Sequence, residues 1–153
     1  MAAPDVLYFE DLTPGRRFET AALRIDADQI KAYARQYDPQ PFHLDEAAAK
    51  ASLFGGLAAS GWHTASLMMR LIVDGPFRPA GGVIGAGIDD FRWPRPVRPG
   101  DSLRVVSEVI EARPSGSRPT IGIVRVRHTT LNQNDEPVLD SIANHVVQRR
   151  PSA

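Results

Sequence analysis

Residues 82–148 carry four runs rich in Val, Ile and Thr, near 82–94, 102–112, 120–131 and 137–148, divided by short clusters of Pro, Gly, Asn and Asp. Such runs read as strands. The breaks between them, among them Arg98-Pro99-Gly100-Asp101 and Asn132-Gln133-Asn134-Asp135, are too short for the crossover helix that a parallel pair requires. The strands are therefore expected to run antiparallel, which excludes a doubly wound parallel sheet. Val124, Val126 and His128 alternate with Arg125 and Arg127, as in a sheet with one wet face. Gly85 and Gly87 share one face of the first run, where they would let a helix approach closely.

The first half reads as helical. A strand is expected around Phe18 to Ile25, and Asp26-Ala27-Asp28-Gln29 then forms a capping-box sequence. Ile30, Tyr33, Ala34 and Tyr37 follow at i, i+3, i+4 and i+7, one apolar stripe on a polar helix. Asp38-Pro39 ends that helix, because the residue before a proline is pushed out of helical angles. Pro39 and Pro41 make the stretch to His43 an irregular turn. Asp45 is placed to cap an Ala-rich helix through Ala51, and Ser60 to cap another. From Trp62 to Val73 this last helix is apolar on nearly every side, so it is expected to be buried, with Trp62, Met68 and Met69 in the core rather than in an acyl pocket. Asp74-Gly75-Pro76 is its stop signal. One long apolar helix ahead of antiparallel strands makes the chain α+β, the sheet wrapped around the helix. Its 153 residues suit a single domain, residues 1–153.

Composition removes several function classes. Lys plus Arg and Asp plus Glu are both 18, so no net field favours a nucleic acid or an anionic membrane, and neither is expected as a partner. With no Cys there is no disulfide, thiolate nucleophile or thiolate metal site. Met1-Ala2-Ala3-Pro4-Asp5 lacks a signal pattern and no apolar run reaches about 18 residues, which reads as cytoplasmic. Lys31 and Lys50 are the only lysines; the other basic residues are Arg, whose planar fork suits phosphate or carboxylate.

Tyr37-Asp38-Pro39-Gln40-Pro41-Phe42-His43 is the most unusual stretch. Extended, five steps would hold Asp38 and His43 up to about 17 Å apart, so only a folded-back loop brings them together. Two prolines make that loop cheap in entropy. A carboxylate beside an imidazole is an acid/base device able to hold and polarise a water. The plainer reading is that Asp38 ends the preceding helix and His43 is a polar residue near a helix start. Ser60-Gly61-Trp62 is the second feature: a helix N-terminus carries free N–H groups and partial positive charge, suited to an enolate oxygen, and Gly61 leaves the backbone open to a ligand. Simple capping is the alternative.

In this order the two features resemble the MaoC-like dehydratases, which include the (R)-specific enoyl-CoA hydratases. Asp38, His43 and Gly61, eighteen positions after His43, fall on the family pattern, and Phe91-Arg92-Trp93-Pro94-Arg95-Pro96-Val97-Arg98-Pro99-Gly100-Asp101 looks like its strand and turn. The resemblance runs from about Phe9 to Val147. Gln40 stands where Asn is common, which bears on the catalytic loop, and Ser60 where His is common, which bears on how the acyl or pantetheine part is held. The resemblance implies a hotdog fold, usually dimeric, acting on a 2-enoyl-CoA. Asp38 and His43 would be the catalytic pair. Gly61, Ser60, Gln40 and His63 would lie at the oxyanion and substrate-binding side, His63 being otherwise a core histidine. Coenzyme A enters only as part of the substrate, with no separate cofactor. His128 and His145 fall on strands, and no metal site is expected. Arg92, Arg95 and Arg98 would meet the coenzyme A phosphates or else sit in a solvated turn. A hotdog thioesterase is the nearest rival, but the stretch Trp62 to Val73 lacks the carboxylate such enzymes commonly carry. A non-catalytic acyl-thioester binding domain is the rival from another class.

Overall fold

The computed structural model describes residues 5–152, so the reading of Met1 to Pro4 lies outside the described residues. Phe9–Asp11 forms a 3-10 turn, followed by strands β1 (Arg17–Glu19) and β2 (Leu23–Arg24) and helices α1 (Ala27–Tyr37), α2 (Pro41–Leu44), α3 (Glu46–Ala51) and α4 (Gly61–Asp74). Strands β3 (Gly85–Arg92), β4 (Ser102–Pro114), β5 (Ile121–Leu131) and β6 (Pro137–Gln148) complete the order. The sheet runs β1-β4-β5-β6-β3, with β2 also on β4, and every pair between these strands is antiparallel. The parallel alternative fails for the reason the turns gave: the short breaks that follow β4 and β5 permit only hairpins.

The helix boundaries follow the capping chemistry. Asp26 accepts from the Gln29 amide at 2.8 Å while the Gln29 side chain takes the Asp26 N–H at 2.9 Å. Asp45 caps α3 through Ala48 at 2.7 Å, and Ser60 caps α4 through Trp62 at 3.3 Å. Each such cap is worth about 1 kcal/mol. The expected strand around Phe18 to Ile25 divides into two short pieces. The turn after Asp38 is less irregular than its prolines suggest, because Pro41 takes the first position of the one-turn helix α2, where a missing N–H costs nothing. On α1, Ile30 and Ala34 are buried, whereas Tyr37 is exposed.

Two expectations about α4 and β3 are corrected. Helix α4 lies across the sheet with His63, Thr64, Met68, Leu71 and Ile72 buried, but Trp62, Met69 and Val73 are 61%, 41% and 52% exposed. One sheet covers one face of a helix, so an apolar residue on the far face stays outside however hydrophobic it is. Of Trp62, Met68 and Met69, only Met68 is core. Gly85 and Gly87 face open space rather than a helix. Gly87 has φ 152°, and the register against β6 shifts between Gly85 and Gly87, so it serves a bulge. The alternation on β5 holds: Val124, Val126 and His128 are buried, the two valines within the same core as Val105, Val109 and Val147. No helix among the described residues is long and apolar enough to cross a membrane.

Candidate active site

The end of α1, helix α2 and the start of α4 converge on one cleft of about 380 Å³, lined by Asp38, His43, Phe54, Gly61, Trp62 and Trp93 among others. Asp38 is the last residue of the α1 ladder, its N–H still bonded to the Ala34 carbonyl at 2.9 Å. The chain then doubles back, the Gln40 N–H meeting the Asp38 carbonyl at 2.7 Å, and α2 turns His43 inward. The result sets His43 Nε2 3.3 Å from Asp38 Oδ2.

The ring of His43 is 4% exposed, and its Nδ1 lies 2.6 Å from the Ala58 carbonyl oxygen. A carbonyl only accepts, so Nδ1 carries the proton and a neutral ring presents its Nε2 lone pair to the carboxylate. Two acceptors then face each other at 3.3 Å. A proton on the ring relieves that arrangement, and so does one water about 2.8 Å from each, donating one O–H to either side. Burial pushes the Asp38 carboxyl up, but hydrogen bonding from Ser60, the Gln40 amide and the charge of His43 outweigh it, so it sits below the ordinary value of 3.8. Gln40 Nε2 donates to Asp38 Oδ1 at 2.6 Å. Asp38 is therefore held as a carboxylate.

Gly61 opens α4, with a backbone N–H that has no acceptor in the helix behind it. Its position on the cleft wall combines that free donor with the positive end of a helix of fourteen residues. The structure thus brings Asp38, His43 and Gly61 to the cleft wall, while Gln40 and Ser60 lie just behind it, Gln40 bonded to Asp38 and Ser60 capping α4. His63 stands apart: it is 7% exposed, absent from the cleft wall, and stacked on Tyr33 with centroids 4.5 Å apart and planes 1° off parallel. Burial lowers its pKa below the ordinary 6.5.

The three arginines separate. Arg98 is not a phosphate ligand here, because its guanidinium is taken by the carbonyls of Gly56 at 2.8 Å, Leu57 at 3.3 Å and Phe54. Arg92 pairs with Asp90 at 3.2 Å, and Arg95 pairs with Glu136 at 2.8 Å on the cleft wall. His128 and His145 take no part in the cleft wall; they are buried on the sheet, with Nε2 atoms 2.9 Å apart and the Ser107 hydroxyl 2.7 Å from His128 Nδ1. Among the described residues no three His, Cys, Asp or Glu side chains converge as metal ligands would.

Residues 10–132 match the family described as MaoC like domain. The chain belongs to the MaoC-like dehydratase family. A solved MaoC-like dehydratase from Rhodospirillum rubrum is 54% identical, superposes with a TM-score of 0.92, and the match covers 95% of this chain and 99% of that one. The 3-hydroxybutyryl-CoA dehydratase of Methylorubrum extorquens is 32% identical over 97% of this chain and 88% of its own length. An R-hydratase from Pseudomonas aeruginosa, solved without ligand, is 28% identical with a TM-score of 0.75, covering 94% and 86% of the two chains. The fold they share is the hotdog, as the α+β reading with a sheet around one long helix anticipates, here as an open sheet of six strands.

Within this MaoC-like chain, sequence reasoning passed over three contributors. The Ala58 carbonyl, which fixes the His43 tautomer, is backbone and leaves no mark in a sequence. Arg98, read as either a phosphate ligand or part of a solvated turn, instead secures the loop that leads to Ala58. Trp93 was visible only as part of a motif, yet its indole N–H donates to the Gly61 carbonyl at 2.9 Å.

Proposed function

We propose that this protein reversibly adds water to a 2-enoyl-CoA thioester. The observation that carries the reading is the pair of opposed acceptors, Asp38 Oδ2 and His43 Nε2, beside the free N–H of Gly61 in a single cleft. In this mechanism the thioester carbonyl rests on the Gly61 N–H, so charge developing on oxygen meets the positive end of α4. Water held between Asp38 and His43 attacks Cβ; its O–H bond breaks as the C–O bond forms, and Asp38 takes the proton. His43 orients the water, and the pair returns one proton to Cα, so that one water is consumed and the pair ends as it began. The reverse path is dehydration.

The relatives named as 3-hydroxybutyryl-CoA dehydratase and R-hydratase favour this reaction class. The thioesterase reading draws less support, since the carboxylate α4 carries is Asp74, exposed at the far end and paired with Arg70 at 2.6 Å. Coenzyme A acts as part of the substrate and no separate cofactor enters the mechanism. A cytoplasmic homodimer is the assembly we favour, with the exposed apolar face of α4 and the open edge strand β3 as the surfaces that meet.

The test is the loss of enoyl-thioester absorbance with purified protein on short, medium and branched 2-enoyl-CoAs, beside Asp38→Asn and His43→Ala. Hydration by the wild type with a fall on the order of 10²–10⁴ in both variants is the expected result. Turnover that survives both substitutions overturns the assigned pair.

A further inference from the structure

Gly61 has a second constraint besides the ligand. A Cβ built on it would lie 2.7 Å from Cε2 and 2.8 Å from Nε1 of Trp93, closer than real Cβ atoms approach a neighbour. The same indole donates its N–H to the Gly61 carbonyl at 2.9 Å, across a long stretch of chain. The ring is 41% exposed, but two aromatic neighbours brace it. Phe91 meets it edge to face at 4.7 Å and Trp62 at 5.4 Å, both at 82°, so the indole is wedged between strand β3 and the first turn of α4.

From these contacts we infer that Trp93 is a positioning residue that clamps Gly61 and thereby aims the first-turn N–H of α4 into the cleft. The effect is conformational. Glycine has more backbone freedom than any other residue, which leaves its donor loosely aimed. Packing an indole on Cα and binding the carbonyl fixes the rotation of Gly61 at the cleft wall that both residues share. An oxyanion donor is useful only if it is aimed before charge develops, because reorganisation during the reaction would forfeit the gain. The clamp supplies that order, with Trp93 acting through Gly61.

This inference rests on the hydration reading for its kinetic arm alone. A double-mutant cycle of Gly61→Ala, Trp93→Phe and the pair, followed by thermal unfolding, decides the clamp whatever the protein catalyses. The Ala methyl is expected to destabilise the wild type and to cost measurably less in the Trp93→Phe background, where the facing ring is smaller; additive losses overturn the clamp. On an enoyl-CoA that the wild type hydrates, Trp93→Phe is expected to lower kcat about tenfold with KM within about twofold, since the interaction it serves strengthens in the transition state. Wild-type kinetics in Trp93→Phe overturn the positioning role. A wild type that hydrates no enoyl thioester refutes the proposed reaction and leaves the cycle to judge the clamp.

Discussion

His43 and His128 are almost equally buried, at 4% and 2% exposure, yet their ring nitrogens meet opposite fates. His128 is closed on both sides, by the Ser107 hydroxyl at 2.7 Å and by His145 Nε2 at 2.9 Å, and a hydroxyl or a second imidazole can donate or accept as required. His43 is closed on one side alone, by Ala58, and on the other confronts a carboxylate that can only accept. Burial by itself therefore does not distinguish a structural histidine from a reactive one. What distinguishes them is whether the partner can supply the missing proton from within the protein. Where it cannot, the arrangement calls for a donor from outside, and the proposed hydration supplies one as water.

Deleting each ring in turn should separate the two histidines most widely. His43→Ala should lose activity on the order of 10²–10⁴-fold with a smaller stability loss than His128→Ala, since it strands one partner, the Ala58 carbonyl, and frees Asp38 of an opposed acceptor. His128→Ala should do the reverse: a loss of about 2–4 kcal/mol by denaturant titration, from a cavity and two stranded polar partners, with kcat per folded molecule unchanged. A stability loss in His43→Ala as large as that in His128→Ala would erase the distinction.

Acid separates the two settings next. Burial, with the neighbouring His145 charge, lowers His128 from 6.5 to about 3, and burial lowers His145 to about 4 although the backbone of Ile84 favours its proton. The unfolded chain thus binds more protons than the folded one below about pH 6.5, so stability is full above that value and falls as pH drops toward 4. The slope approaches about 1.4 kcal/mol per pH unit for each histidine, readable as a declining midpoint in urea. His63, also lowered by burial, adds in the same direction. A His128→Ala variant should lose much of this slope; an unchanged slope would mean the acid sensitivity lies elsewhere.

Smaller effects are confined to the reactive side. Ser60→Ala removes the cap of α4 and a hydroxyl that helps lower the Asp38 pKa, so about 1 kcal/mol of stability should go and the Asp38 pKa should rise, followed by NMR of the carboxyl carbon. Gln40→Ala removes the 2.6 Å contact to Asp38 Oδ1, and a change of about 0.5 kcal/mol, or roughly two- to threefold in rate, is expected because Gln40 is exposed.

Local chemistry made much of this readable in advance. The limits of α1 follow from Asp26, Gln29 and Pro39, and the reversal that joins Asp38 to His43 from two prolines in three residues. The antiparallel order of β4, β5 and β6 follows from turns too short for anything else. What escaped the sequence depends on distant register or on what covers a surface. The register of β5 and β6 leaves His128 and His145 four residues apart along the strands, and their contact depends on how both rings pack with Phe77 on the buried face, which no local pattern records. The apolar outer face of α4 looks like core until the sheet is seen to cover one side. Arg98 has the chemistry of a phosphate ligand, and only the path of residues 54–57 around it reveals three carbonyls in its fork.

The contact between His43 Nδ1 and the Ala58 carbonyl bears on how such a site can evolve. In many acid/base sites a carboxylate orients the imidazole, and a single codon change there can undo the chemistry. Here the instruction is written in the main chain, which every residue possesses. Position 58 can therefore drift among small side chains without altering which nitrogen of His43 holds its proton, and the heritable risk moves downstream, to the guanidinium of Arg98, which together with backbone bonds from Ala58 to Phe42 and from Ala59 to Val97 keeps this stretch in place.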